Sequence, residues 1–179
     1  MKKIIVVAVA LGAFLSCQEQ QKIGFVDNGE IINEYQEKKD LEERFKIKNE
    51  AFTKKRDSIG QAFQLEYGAF QKKAQRLSQR QQQEQSGALN QKAQFLQQQL
   101  QVEQQQLQQA FQTEIDSIIS KVDTFVSDYG KKNNYSYILG KNEAGSVMFG
   151  EEKSDLTKTI IKALNADRKT EDTKTEEKE

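Results

Sequence analysis

Apolar residues recur along the middle of the chain at helical spacing, with polar residues filling the positions between. The first stripe runs Leu41, Phe45, Phe52, Ile59, Phe63, Phe70, Ala74 and Leu77, one face of one long helix. Gly60 and Gly68 interrupt it at about 1 kcal/mol each relative to alanine. They are either hinges or glycines that an otherwise strong helix tolerates. Ser86-Gly87 is the only turn signal between positions 69 and 129, and beyond it a second stripe runs Leu89, Ala93, Leu96, Leu100, Leu107, Ala110, Ile118, Val122, Phe125 and Tyr129. Folded about that turn, Leu77 meets Leu96, Phe63 meets Ala110 or Phe111, Phe52 meets Val122, and Phe45 meets Tyr129. The pattern predicts an antiparallel helical hairpin over 41–130 with coiled-coil-like packing, a prong of roughly 65 Å at 1.5 Å per residue.

The ends of the chain change period. Lys22 to Asp27 reads as a strand, with Ile23 and Phe25 on one side and Gly24 and Val26 on the other. Asp27 followed by Glu30 is a capping-box pattern for a helix start. The outbound arm is longer than the return arm on this register, so residues 30–40, with Ile31, Ile32 and Tyr35, fall off the prong and onto a body. Gly130 is the expected C-terminal stop of the return helix. Tyr135 to Leu139 alternates as a strand, Gly140 to Gly145 makes a turn, and Ser146 to Phe149 gives a short further strand. Ser154 is a candidate cap for a last helix with Asp155 in its first turn and Leu156, Ile160, Ala163 and Leu164 as its buried stripe. From Asp167 the chain alternates Lys, Thr, Glu and Asp, the pattern of a disordered charged tail over 167–179. The expected class is α+β, mostly α: body segments 22–40 and 131–166 around a prong at 41–130.

Composition narrows what such a chain does. Among 179 residues there is no proline, so no ring clash or missing N–H breaks a long helix. Glutamine fills 17 of the 34 positions from 79 to 112, polar without charge. The 27 basic and 27 acidic residues cancel, which argues against a nucleic-acid partner that needs a basic face. Histidine is absent, removing the usual neutral-pH proton shuttle and commonest metal ligand. No GxxxxGK or GxGxxG phosphate-binding turn occurs, and a single cysteine provides neither an intramolecular disulfide nor a CxxC metal site. No catalytic residue, metal ligand or cofactor site is identified, and an enzyme is the weakest reading.

The N-terminus has the form of an export signal over 1–16. Lys2 and Lys3 precede the apolar run Ile4 to Leu15, the length of a secretory h-region and too short to span a bilayer. The run ends in Phe14-Leu15-Ser16-Cys17, which resembles a bacterial lipoprotein lipobox and makes Cys17 the expected lipidation site, with 17–21 a linker. The alternative is an ordinary signal peptide whose cysteine is incidental.

The segments KIGFVDNGEIINEY and YSYILGKNEAGSVMFGEEKSDLTKTIIKALN, with the hairpin between them, resemble the Skp/OmpH family of periplasmic chaperones over about residues 22 to 165. The resemblance implies a homotrimer in which three small β-containing bodies join and three helical prongs surround a cavity. There, unfolded outer-membrane proteins are held without ATP. It also implies a periplasmic location, with membrane tethering if Cys17 is lipidated. The best-known members are strongly basic and this chain is neutral, so no lipopolysaccharide site is carried over. A body of about 50 residues is too small to stand alone, which favours self-association through Ile23, Phe25, Ile138 and Val147. Tyr67, Phe95, Val102 and Phe111 lie beside the main stripes; they either contact clients or widen the hairpin seam. The competing functional class is a lipid-anchored coiled spacer or scaffold of the envelope, against which the strand-bracketed ends argue.

Overall fold

The computed structural model describes residues 21–142 and 145–176, with the side chains of 169–176 undescribed. The expected signal sequence and Cys17 therefore lie outside the described residues. The order is β1 (Ile23–Asp27), α1 (Asn28–Glu34), α2 (Gln36–Ala74), α3 (Gln79–Lys132), β2 (Tyr137–Lys141), a 3-10 turn at Glu152–Ser154, and α4 (Thr157–Glu176). Among the described residues two compact units result, one holding 21–31 together with Val122–Asp167, the other Ile32–Lys121 and 168–176.

The second unit is the helical hairpin, and its turn is not at Ser86-Gly87. The chain reverses at 75–78, and Gly87 lies inside α3. A capping box made by Ser78 and Gln81 decides the position: the Ser78 N–H donates to Gln81 Oε1 at 3.1 Å, and the Gln81 N–H donates to Ser78 Oγ at 3.4 Å. These bonds satisfy orphan donors at the start of a helix. At the end of α2, the Gln82 amide donates to the carbonyls of Ala74 and Leu77. A lone glycine such as Gly87 costs a helix about 1 kcal/mol, less than a second chain reversal would.

Moving the turn moves the register. Phe45 meets Phe111 in an edge-on contact, ring centroids 5.2 Å apart, rather than Tyr129. Ion pairs between the arms join Arg44 to Glu114 at 2.7 Å, Lys55 to Glu103 at 2.7 Å, and Glu66 to Lys92. These three recur every eleven residues on both arms, and a fourth, Glu37–Lys121, lies seven residues beyond the first on each arm. Apolar seam positions share that interval, as Leu41, Phe52, Phe63 on α2 and Leu89, Leu100, Phe111 on α3. Eleven residues are close to three full α-helical turns, so such a repeat keeps one face toward the partner without a left-handed supercoil. Leu41, Phe45, Phe52, Leu89 and Ile118 are the buried residues of this seam. The expected arm lengths are also reversed: α2 has 39 residues and α3 has 54. Residues 28–34 form the separate helix α1, and Tyr35, extended at φ −71 and ψ 124, divides it from α2.

In the first unit, β1 and β2 pair in parallel with Ile23 opposite Tyr137 and Phe25 opposite Leu139. Parallel strands need a long crossover, and here the whole hairpin provides it. Leu156 N–H donates to the Phe25 carbonyl at 2.9 Å, so the chain at 155–156 lies along β1 as well. Val26, Ile31, Val122, Leu156, Ile160 and Leu164 are buried in this unit. Asp27 accepts from the Glu30 N–H at 3.0 Å, capping α1.

Several boundaries differ from the sequence reading. Gly130 does not stop the return helix, which continues to Lys132. The stop is Asn134 at φ 56, with Tyr135 N–H donating to the Gly130 carbonyl at 2.9 Å and Asn134 N–H to that of Lys131 at 3.3 Å, a Schellman ending. Gly130 instead makes room, since a Cβ there would sit 3.2 Å from Ile138 Cδ1. Tyr135 belongs to this cap, so β2 begins at Tyr137 rather than at 135. No strand forms over 146–149: the Ser146 hydroxyl bonds the Gly140 carbonyl at 2.5 Å, closing a tight loop. The last helix starts at Thr157, whose N–H is capped by Asp155 Oδ1 at 2.8 Å, with Ser154 in the preceding 3-10 turn. Residues 167–176, expected as a disordered tail, continue α4. Lys, Arg and Glu are good helix formers, and Arg168 fastens the extension to Asp40 at 2.5 Å.

Candidate functional site: apolar faces of the hairpin and of the sheet

The hairpin has two unlike sides. At about 100° of rotation per residue, Arg44, Lys55 and Glu66 lie on one side of the α2 stripe and Asn49, Thr53 and Gly60 on the other. The ion pairs between arms close the first side. The second side stays open in two places. One hollow, about 670 Å³, lies at Phe45 and Phe111 with Lys46, Glu50 and Lys54 at its margin. The other, about 570 Å³, has a floor of Phe52, Ile59, Phe63, Leu96 and Leu100. Its margin carries Gln97, Gln101 and Gln104 from α3 and, from α2, Arg56, which is paired with Asp57 at 3.3 Å. A Cβ on Gly60, which lines this hollow, would meet nothing within 4 Å.

The four residues singled out as candidate client contacts divide between two environments. Tyr67, Phe95 and Val102 are exposed, at 46%, 65% and 45%. Phe111 is half-buried against Phe45 and belongs to the seam and to the first hollow. Leu65 and Ile47 are exposed too, at 77% and 59%.

At the other end of this unit, Glu37 accepts from Lys121 at 2.5 Å and from the Tyr35 hydroxyl at 2.7 Å. Burial, the largest single influence on Glu37, raises its pKa. The two hydrogen bonds and the charges of Lys121 and Arg168 outweigh it, so the net shift is below the usual carboxylate value. Asp40 is also lowered, by its bond from Gln36 first and then by Arg168, against a desolvation that raises it.

In the sheet unit, alternation splits the strands into two faces. Gly24, Val26 and Ile138 face inward, whereas Ile23, Tyr137 and Leu139 are exposed at 47%, 57% and 46%. Phe25, half-buried, lies against Gly150, where a Cβ would come within 2.3 Å of its ring. Met148 and Phe149 stand out at 91% and 85% exposed. Of the four body residues expected at a subunit contact, Ile23 and Phe25 are on the outer face, Ile138 packs toward Gly130 on the inner face, and Val147 is half-buried in the loop. Tyr137 and Leu139 lie on the side of the strand opposite Ile138 whether it starts at 135 or 137, and Met148 and Phe149 stand out because no strand forms over 146–149. Among the described residues no group of three His, Cys, Asp or Glu is placed to hold a metal ion, and no helix is long and apolar enough to cross a membrane.

The model of the OmpH-like outer membrane protein family matches residues 22–164. The chain belongs to that family. No curated protein matches it. Among solved structures, an OmpH-like outer membrane chaperone from Caulobacter crescentus superposes with a TM-score of 0.73 at 17% identity, over 84% of this chain and 87% of that one. Identity that low establishes the fold that the two share: a long helical hairpin with a small β part.

Proposed function

We propose that this protein is an ATP-independent holdase chaperone of the periplasm. On this reading it binds unfolded outer-membrane proteins and keeps them from aggregating until they are inserted. The observation that carries the reading is the hairpin itself: two arms of 39 and 54 residues, polar and near neutral, with half-open apolar hollows and scattered exposed apolar side chains. Many weak apolar contacts on an extended scaffold give adaptable, poorly specific binding. Family membership and the chaperone whose fold it shares support the same reading.

The working form in this proposal is a homotrimer. Support comes from the outer face of the sheet, where Ile23, Tyr137 and Leu139 are exposed, and from exposed Met148 and Phe149 in the segment that follows β2, in a unit with few buried residues of its own. Burying each such side chain is worth on the order of 1.5–3 kcal/mol. Light scattering at micromolar concentration tests it, and a stable monomer would refute it. Lipidation of Cys17 would tether the protein to a membrane; mass spectrometry of the mature N-terminus decides that.

For the activity, a β-barrel membrane protein unfolded in urea is diluted into buffer with or without the purified protein, with no nucleotide present. Turbidity should be suppressed, and about equally at low and physiological salt, because the chain carries no net charge to screen. Failure to suppress aggregation would favour an envelope spacer instead.

A further inference from the structure

We propose that the open side of the hairpin between Phe52 and Leu100 seats an extended polypeptide segment of an unfolded client. The client's apolar side chains would sit on the seam and its backbone amides against the glutamine margin. This rests on the chaperone reading above and names the surface that performs it.

Four observations converge on that occupant. The four ion pairs that tie the arms together are all on the opposite side, at Glu37–Lys121, Arg44–Glu114, Lys55–Glu103 and Glu66–Lys92, so opening this side breaks none of them. The margin contributed by α3 is uncharged: Gln97, Gln101 and Gln104 each offer a donor and an acceptor on one amide. That is the hydrogen-bonding complement of a backbone whose N–H and C=O groups have lost their sheet partners. A helix of a second copy would bring no unpaired backbone groups to this margin.

The dimensions agree as well. From Phe52 to Phe63 the floor extends about 16 Å at 1.5 Å per residue, enough for about five residues of extended chain at roughly 3.3 Å each. Barrel strands of outer-membrane proteins alternate apolar and polar residues. An extended segment therefore turns every second, apolar side chain toward one face, matching an apolar floor with a polar margin.

Gly60 supplies the fourth observation. It costs the helix about 1 kcal/mol relative to alanine, yet a Cβ there would touch nothing within 4 Å. The packing of the two arms therefore does not require glycine. Gly68 and Gly87 have the same open space, but Gly60 lines the hollow, so a larger side chain there would project into it.

The test compares Gly60→Leu with Gly87→Leu. Both sites are mid-helix glycines with nothing within 4 Å, so both substitutions remove the same helix penalty, and Gly87 is not part of the hollow. Binding of a fluorescently labelled, urea-unfolded β-barrel protein to the full-length protein is measured by titration. Gly60→Leu should weaken binding by roughly tenfold, the equivalent of one lost apolar contact, and Gly87→Leu should match the wild type. As a second readout, a photoreactive phenylalanine analogue at Gln101 should crosslink to the client, while the same group at exposed Gln99, about 160° around α3 on the ion-paired side, should not. Equal binding by all three proteins with no crosslink from position 101 would overturn the inference and leave the chaperone reading standing. Crosslinks from 101 to a second copy would overturn it in favour of an interface. A wild type that binds no client would instead overturn the chaperone reading beneath it.

Discussion

If the arms are organised in eleven-residue repeats, one repeat can be removed from each arm without disturbing the rest. Deleting 56–66 from α2 and 92–102 from α3 takes out the Glu66–Lys92 pair but leaves Lys55–Glu103 and Arg44–Glu114 in register. The hairpin shortens by about 16 Å. At the typical net stability of 0.05–0.15 kcal/mol per residue, losing about 22 residues costs roughly 1–3 kcal/mol. The exposed ion pair adds at most about 1 kcal/mol to that. Deleting five residues from each arm instead, 60–64 and 94–98, removes less material but rotates each distal segment by about 140° against its neighbour. That turns Phe70 and Leu89 away from one another's arm. Far-UV circular dichroism melts and small-angle scattering separate the cases: the eleven-residue deletion should melt cooperatively and show a shorter maximum dimension, whereas the five-residue deletion should lose its distal helix. Because the eleven-residue deletion also removes Gly60 and most of the hollow's floor, it should hold clients poorly while keeping its oligomeric state. If the larger deletion unravels as much as the smaller, the eleven-residue register is wrong.

Other consequences follow from the caps and the charges. Ser78→Ala should destabilise the hairpin tip by about 1 kcal/mol through loss of the N-cap bond, seen as faster amide exchange at 79–82. Asn134→Val should cost about 1–2 kcal/mol in thermal or urea unfolding, since a β-branched residue resists the left-handed conformation, while Asn134→Gly should be neutral or stabilising. Glu37 and Asp40 both have carboxyls held below their ordinary values of 4.5 and 3.8. Their contribution is therefore fully present above that range and is lost as pH falls through the depressed values. Arg168→Ala should lower stability at neutral pH by less than about 1 kcal/mol, with the difference from the wild type vanishing in strongly acidic buffer.

Much of this fold was legible because its strongest signals are periodic. The helical stripe revealed a long hairpin, and alternation revealed the strand at Ile23–Asp27. Ser86-Gly87 has the form of a familiar turn dipeptide, while the actual turn depends on Ser78-Gln79-Arg80-Gln81, a capping box hidden where glutamine is abundant. The return helix was ended too early because Gly130 resembles a stop, although its small size serves Ile138 and the left-handed position falls on Asn134. The hollow at Gly60 depended on that register. With the turn at 87, Phe63 faces 110–111, and nothing places Gln97 and Gln101 beside it. The exposed pair Met148 and Phe149 needed the loop that Ser146 closes, which no local propensity announces.

The glutamine tract that concealed the turn also bears on what the hairpin does. Charged arms would fix register through ion pairs at every repeat and would favour clients of opposite sign. Here the ion pairs between the arms are few and confined to one side; each contributes little to stability and none of them faces the hollow. Register is set instead by apolar residues at eleven-residue intervals and by the cap at Ser78 and Gln81. That division leaves the α3 margin of the second hollow free to carry uncharged amides, which can pair with any backbone. A binding surface of this kind tolerates clients that share extended conformation and alternating polarity and little else, as unfolded β-barrel strands do. It follows that replacing Gln97, Gln101 and Gln104 together with glutamate should leave the helix formed, because glutamate is as good a helix former as glutamine. It should impair capture most for acidic clients and make the remaining binding salt-dependent. Capture that stays independent of both client charge and salt in that variant would show that the amide margin is not part of the binding surface.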